Sequence, residues 1–104
     1  MFDDNVMVDL EQLMRLLEES EAINAELRGI HEELVALKNE GEALRENVKT
    51  ADAETLLTMG ARLVERRERI MELGKRNKAC DLRNKQVSLE IGWLLQKHPE
   101  WHQE

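Results

Sequence analysis

Two columns of charge, each repeating every seven residues, are the most ordered chemistry in this 104-residue sequence. Glu19, Glu26, Glu33 and Glu40 make the first; Arg62, Arg69, Arg76 and Arg83 make the second. Carboxylates can act as general acids and bases, but that work needs a pocket that separates their pKa values. Evenly spaced glutamates instead line a solvated helix face, where they can pair with a matching row of cations. Other reactive residues are few. His98 and His102 are four apart, the spacing of two metal ligands on one helix face, yet Pro99 between them interrupts that face. Cys80 is the only cysteine, which excludes an internal disulfide and points to a buried thiol packing as a small hydrophobe. No glycine-rich loop follows a strand, because no strand pattern is present. The expectation is a chain without catalytic residues, cofactor, metal or small-molecule substrate.

The elements that must position these columns are helices. Charged residues make up 36% and aromatics 3% of the chain, with one proline and no tyrosine, a mixture suited to long helices and poor for sheet. Apolar residues recur at alternating steps of three and four, the period of a coiled-coil seam. With Leu13 as heptad position a, the first half runs through Leu13, Leu16, Ser20, Ile23, Leu27, Ile30, Leu34, Leu37, Gly41, Leu44 and Val48. With Leu56 as a, the second runs through Leu56, Met59, Leu63, Arg66, Ile70, Leu73, Asn77, Cys80, Asn84, Val87, Ile91 and Leu94. The two heptad phases do not join: continuing the first would place an a position at Thr55, one residue early. A one-residue slip rotates the apolar stripe by about 100°. The slip falls in residues 49–55, where Thr50 or Asp52 can cap a new helix. The expected architecture is therefore all-α, a single helical domain over residues 1–104. Helix 1 covers about 6–49, a turn 50–52, helix 2 about 53–97, and a short tail 98–104, since the residue before Pro99 resists helical geometry.

The charge columns predict how the helices run. Both occupy g positions, and in an antiparallel pair the g positions face each other along one edge of the seam. Glutamate alone on one side and arginine alone on the other suits a long antiparallel helical hairpin; a parallel dimer would pair g with e and lose the match. Such exposed pairs choose orientation more than they stabilise. Two registers one heptad apart satisfy the charges almost equally. One stacks Leu44 on Leu56 and Ser20 on Cys80. The other stacks Leu44 on Leu63 and sets Gly41, which leaves room, opposite the long Arg66. The sequence leaves both open.

A polar layer interrupts the seam. Asn77 and Asn84 at a positions flank Cys80, with Ser20 on the other helix, and buried asparagine of this kind fixes register and partner number at a cost in stability. Beyond the seam lie apolar residues that two helices cannot cover. Leu10, Leu17 and Leu95 occupy e positions, opposite the charged edge; Met7 and Met14 extend the first stripe; Leu82, Leu89 and Trp93 form a line outside the seam. They call for a further helix, from a second copy closing a four-helix bundle or from another protein.

The segment Asp52-Ala53-Glu54-Thr55-Leu56-Leu57, running on to Leu63-Val64-Glu65-Arg66-Arg67-Glu68-Arg69-Ile70-Met71-Glu72-Leu73, resembles the second-helix entry of flagellar and type III export chaperones of the FlgN and FliT kind. It departs from them in having Asn84-Lys85 where the FlgN kind has Asn-Gly, and Ala53 where the FliT kind has an aromatic. The resemblance implies a small cytosolic protein of long antiparallel helices that binds amphipathic helical termini of secreted subunits. The net charge of −7 independently disfavours nucleic acid and anionic membranes as partners. No apolar run approaches the roughly 20 residues of a membrane span, and the start Met1-Phe2-Asp3-Asp4 is acidic where a secretory signal is basic. The expectation is a cytoplasmic, non-enzymatic interaction module: an adaptor or secretion-type chaperone for a partner's helix. The alternatives are a structural coiled-coil component or a small acidic inhibitor that blocks another protein's site.

Overall fold

The computed structural model describes residues 4–102; residues 1–3 of the acidic start and the last two residues of the expected tail lie outside them. Two α-helices of 45 residues each, α1 (Asp4–Val48) and α2 (Ala53–Lys97), pack as a hairpin and are followed by a short 3-10 helix, Pro99–His102. Helix α1 thus begins two residues earlier and ends one residue earlier than expected, and the supposed tail is largely a turn of 3-10 helix. Among the described residues no helix is long and apolar enough to cross a membrane.

The turn between the helices uses no left-handed residue: no described residue has positive φ. Instead α1 tightens at its end, where the Lys49 and Thr50 amides donate to the Glu46 and Asn47 carbonyls at 3.4 and 3.3 Å, a 3-10-type closure that satisfies carbonyls otherwise left open. Asp52, not Thr50, caps α2. Its Oδ1 accepts the Thr55 amide at 2.8 Å, while its own carbonyl accepts the first helical bond, from Leu56, at 3.0 Å. Those Thr55 donors hold the Asp52 carboxyl below the usual aspartate range, as expected for a carboxylate over four unpaired helix-start amides.

Two compact halves make up the chain, one of residues 27–78 and one combining residues 1–26 with 79–104. In the half that holds the turn, Ile30, Leu37, Met59 and Leu73 are buried, all at d positions, whereas Leu27, Leu34 and Ile70 at a are only half-buried. The same split recurs in the terminal half: Leu16, Ile23, Cys80, Val87 and Leu94 at d are buried, and Leu13 and Ile91 at a are half-buried. The cause lies in the flanks. On a 3.6-residue helix g lies beside d and e beside a. The long glutamate and arginine stems at g lie over the d side, while on α2 the e positions Gly60, Gly74, Asp81 and Ser88 are too short to cover a.

In the turn half a side chain of α2 reaches the backbone of α1. Arg66 Nε donates to the Leu37 carbonyl at 2.8 Å, and a Cβ built on Gly41 would lie 2.6 Å from Arg66 Cζ. A carbonyl in a helix is normally screened by the side chain four residues on; glycine there lets the guanidinium reach it. The Arg66 guanidinium thus lies over Gly41, and Leu44 and Leu63 line one groove beside them. Gly74, by contrast, has open space where a Cβ would go. Gly74→Ala is therefore expected to raise stability by up to about 1 kcal/mol, the ordinary helix gain. Gly41→Ala is expected to show none of that gain, because its methyl displaces Arg66. Urea midpoints of the two variants decide the matter, and equal gains would refute the arrangement.

Candidate interaction surface

Three of the expected ion pairs form as two-pronged contacts. In the turn half Arg62 pairs with Glu40 and Arg69 with Glu33 through Nε, with second bonds from Nη2 at 2.7 and 2.8 Å. In the terminal half Arg83 donates to Glu19 from Nε at 2.6 Å and from Nη2 at 2.9 Å. The arginine partner lowers the pKa of Glu19, Glu33 and Glu40 in each case, against a smaller opposing push from burial. Neither Glu26 nor Arg76 lacks a partner, and Arg76 adds to the lowering at Glu33. Three of the four glutamates are thus committed to arginines of the other column.

The polar layer differs from its expected form. Cys80 is buried, but Ser20 and Asn84 in its half, and Asn77 in the other, are half-buried rather than enclosed. They sit at a, on the edge that the short e residues leave open, so water reaches them.

A second polar layer, unforeseen, ends the seam in the terminal half. Asp9 is 8% exposed and His98 7%. Asp9 Oδ2 accepts from His98 Nε2 and from Lys97 Nζ, both at 2.8 Å. His98 Nδ1 faces Glu100 Oε1 at 3.2 Å, and the imidazole stacks on Trp101 with ring centroids 4.1 Å apart. The Trp101 amide donates to the His98 carbonyl at 3.0 Å, which folds the 3-10 turn back onto the ring. With carboxylates at both nitrogens, the doubly protonated imidazolium satisfies both. The Asp9 bond accordingly raises the His98 pKa, burial opposing and Glu100 assisting; the His98 and then the Lys97 bonds lower that of Asp9. The signal was present in the heptads. Extending the first phase one turn back puts Asp9 at d, and extending the second one turn on puts His98 at a.

The apolar lines expected outside the seam are exposed in the terminal half: Met7, Leu10, Met14 and Leu17 on α1, and Leu82, Leu89 and Trp93 on α2. Leu89 is 74% exposed and Trp93 59%, the latter carrying Lys97 Nζ at 5.3 Å from its ring centre. Leu95 is half-buried, unlike the others. The α1 line lies at b and e, beside the open edge; the α2 line lies at f and c, on the side of α2 turned away from the seam. The α1 line repeats at steps of three and four, as a seam does; the α2 line steps by seven and four. An arrangement of this kind can bury a helix. Compared with protein-family models, curated proteins and solved structures, the chain matches none of them.

Proposed function

We propose that this chain is a non-enzymatic adaptor or chaperone that captures an amphipathic helix of a partner protein on the terminal half of its hairpin. One observation carries the reading: both helices there present rows of exposed apolar side chains, outside the seam they already share. Scattered exposed apolar residues are ordinary, but rows of them are what a further helix packs against. Free of its partner, the chain covers the same rows by pairing two copies into a four-helix bundle. A client helix then exchanges for the second copy. The polar layer of Asp9 and His98 keeps the ends of α1 and α2 together, so that the rows are rigid before anything docks.

Light scattering of the purified chain at two concentrations, with Leu89→Asp, Trp93→Asp and Leu10→Asp beside it, tests this. Each substitution is expected to leave helix content unchanged by circular dichroism, to weaken self-association and to abolish capture of an amphipathic helix. Self-association and helix capture untouched by all three would remove these rows from any function.

A further inference from the structure

We propose that the helix captured on the α1 row, Met7, Leu10, Met14 and Leu17, carries a basic polar face. The inference rests on the capture reading above and names the chemistry of its client. All four side chains of the row are about half exposed. Around them the helix is strongly acidic: residues 4–26 hold seven carboxylates against one arginine, whereas residues 79–97 of α2 hold two carboxylates and three cations.

The placement of these carboxylates matters more than their number. Glu19 is taken by Arg83, and Asp9 by Lys97 and His98. Glu11 and Glu18 are exposed and in no ion pair among the described residues. They occupy f positions, next to the b positions of Met7 and Met14, and so border the row along its length. Asp81, exposed at an e position of α2, lies toward the open edge. Arg15, at c, points further round the helix, away from the row. An occupant of the row therefore meets an excess of negative charge along its α1 margin.

A second copy brings the same acidic margin with it, and like charges brought together at an interface disfavour the pairing. A cationic amphipathic helix gains where the second copy loses. The row spans ten residue rises, about 15 Å, so three turns with apolar residues at i, i+3 or i+4, i+7 and i+11 are enough to fill it. Apolar burial supplies the affinity, while lysine and arginine on the flanks select the client and speed the encounter.

Three synthetic helices with one leucine row and polar faces of lysine, glutamine or glutamate, titrated into the full chain and followed by anisotropy, test the proposal. The lysine peptide is expected to bind several-fold to about tenfold more tightly than the glutamine peptide at low salt, with the advantage shrinking at high salt. The double variant E11Q/E18Q, which removes charge without touching the row, should erase that advantage while glutamine-peptide binding persists. Equal binding of the lysine and glutamine peptides overturns the charge preference and leaves helix capture standing. Failure of all three peptides to bind, with the chain stably paired by light scattering, gives the row to a second copy and overturns both.

Discussion

Shortening Leu73 or Leu94 to alanine is expected to remove about 2–5 kcal/mol of stability apiece, the range for deleting a buried leucine side chain. Both are among the most enclosed side chains, at 1% and 0% exposure, as is Val87. The loss is large in proportion, because a domain of this size holds only about 5–15 kcal/mol in all. A two-helix core is thin: along each helix only the d residues are buried, while the a residues keep one side open to solvent. Few neighbours can close in over a cavity at d, so relaxation recovers little of the cost. Urea unfolding should show a markedly lower midpoint with an unchanged slope for both variants. Leu89→Ala, on the exposed row, serves as the contrast and is expected to stay within about 0.5 kcal/mol of the parent. Leu73→Ala or Leu94→Ala matching Leu89→Ala would mean that the burial described for the seam is wrong.

The hairpin was legible because three signals agreed on it. The heptad phases break at one place, Asp52 stands there as a cap, and the glutamate and arginine columns match only when the chain doubles back. The register was not legible, since shifting by one heptad keeps glutamate facing arginine. The bond from Arg66 to the Leu37 carbonyl was hidden as well, because periodicity carries no information about carbonyls. The inequality of the a and d positions was hidden for a related reason. A heptad count scores both as core, and only the lengths of the flanking e and g side chains distinguish them. Asn77 and Asn84 fall on the poorly covered side, so they came out half-buried where enclosed asparagine was expected.

The exposed rows were readable as apolar residues left over from the seam, but Leu95 belongs partly to it. The layer of Asp9 and His98 leaves no mark in the apolar pattern, because two polar residues continue the seam there. A polar pair that closes a seam does in one step what asparagine does within it: misregistered or parallel pairings leave a buried charge without its partner. The same residues that end the helices therefore help choose how they pair.

That layer also makes stability depend on pH, and the direction follows from its partners. The bond to Asp9 raises the His98 pKa above the ordinary histidine value, so the folded chain binds this proton more tightly than the unfolded chain. The stabilisation is full below about pH 6.5, where histidine is protonated in either state, and is lost as pH rises through the higher folded value. Asp9 behaves oppositely. Its pKa is lowered by His98 and Lys97, so its contribution is present above about pH 4 and is lost as pH falls through the lowered value. Glu19, Glu33, Glu40 and Glu100 are lowered as well and share the acid limb. The alkaline limb is where His98 stands out. Melting temperature is expected to peak between about pH 4 and 6.5 and to fall on going to pH 8. Asp9→Asn should flatten that fall, since the amide cannot favour the imidazolium as the carboxylate does, and should lower the His98 pKa in a proton NMR titration. Asp9→Lys, which sets a third cation against His98 and Lys97, should destabilise the terminal half most of all. A pH profile with the same alkaline slope in the parent and in Asp9→Asn would show that Asp9 does not hold the proton on His98.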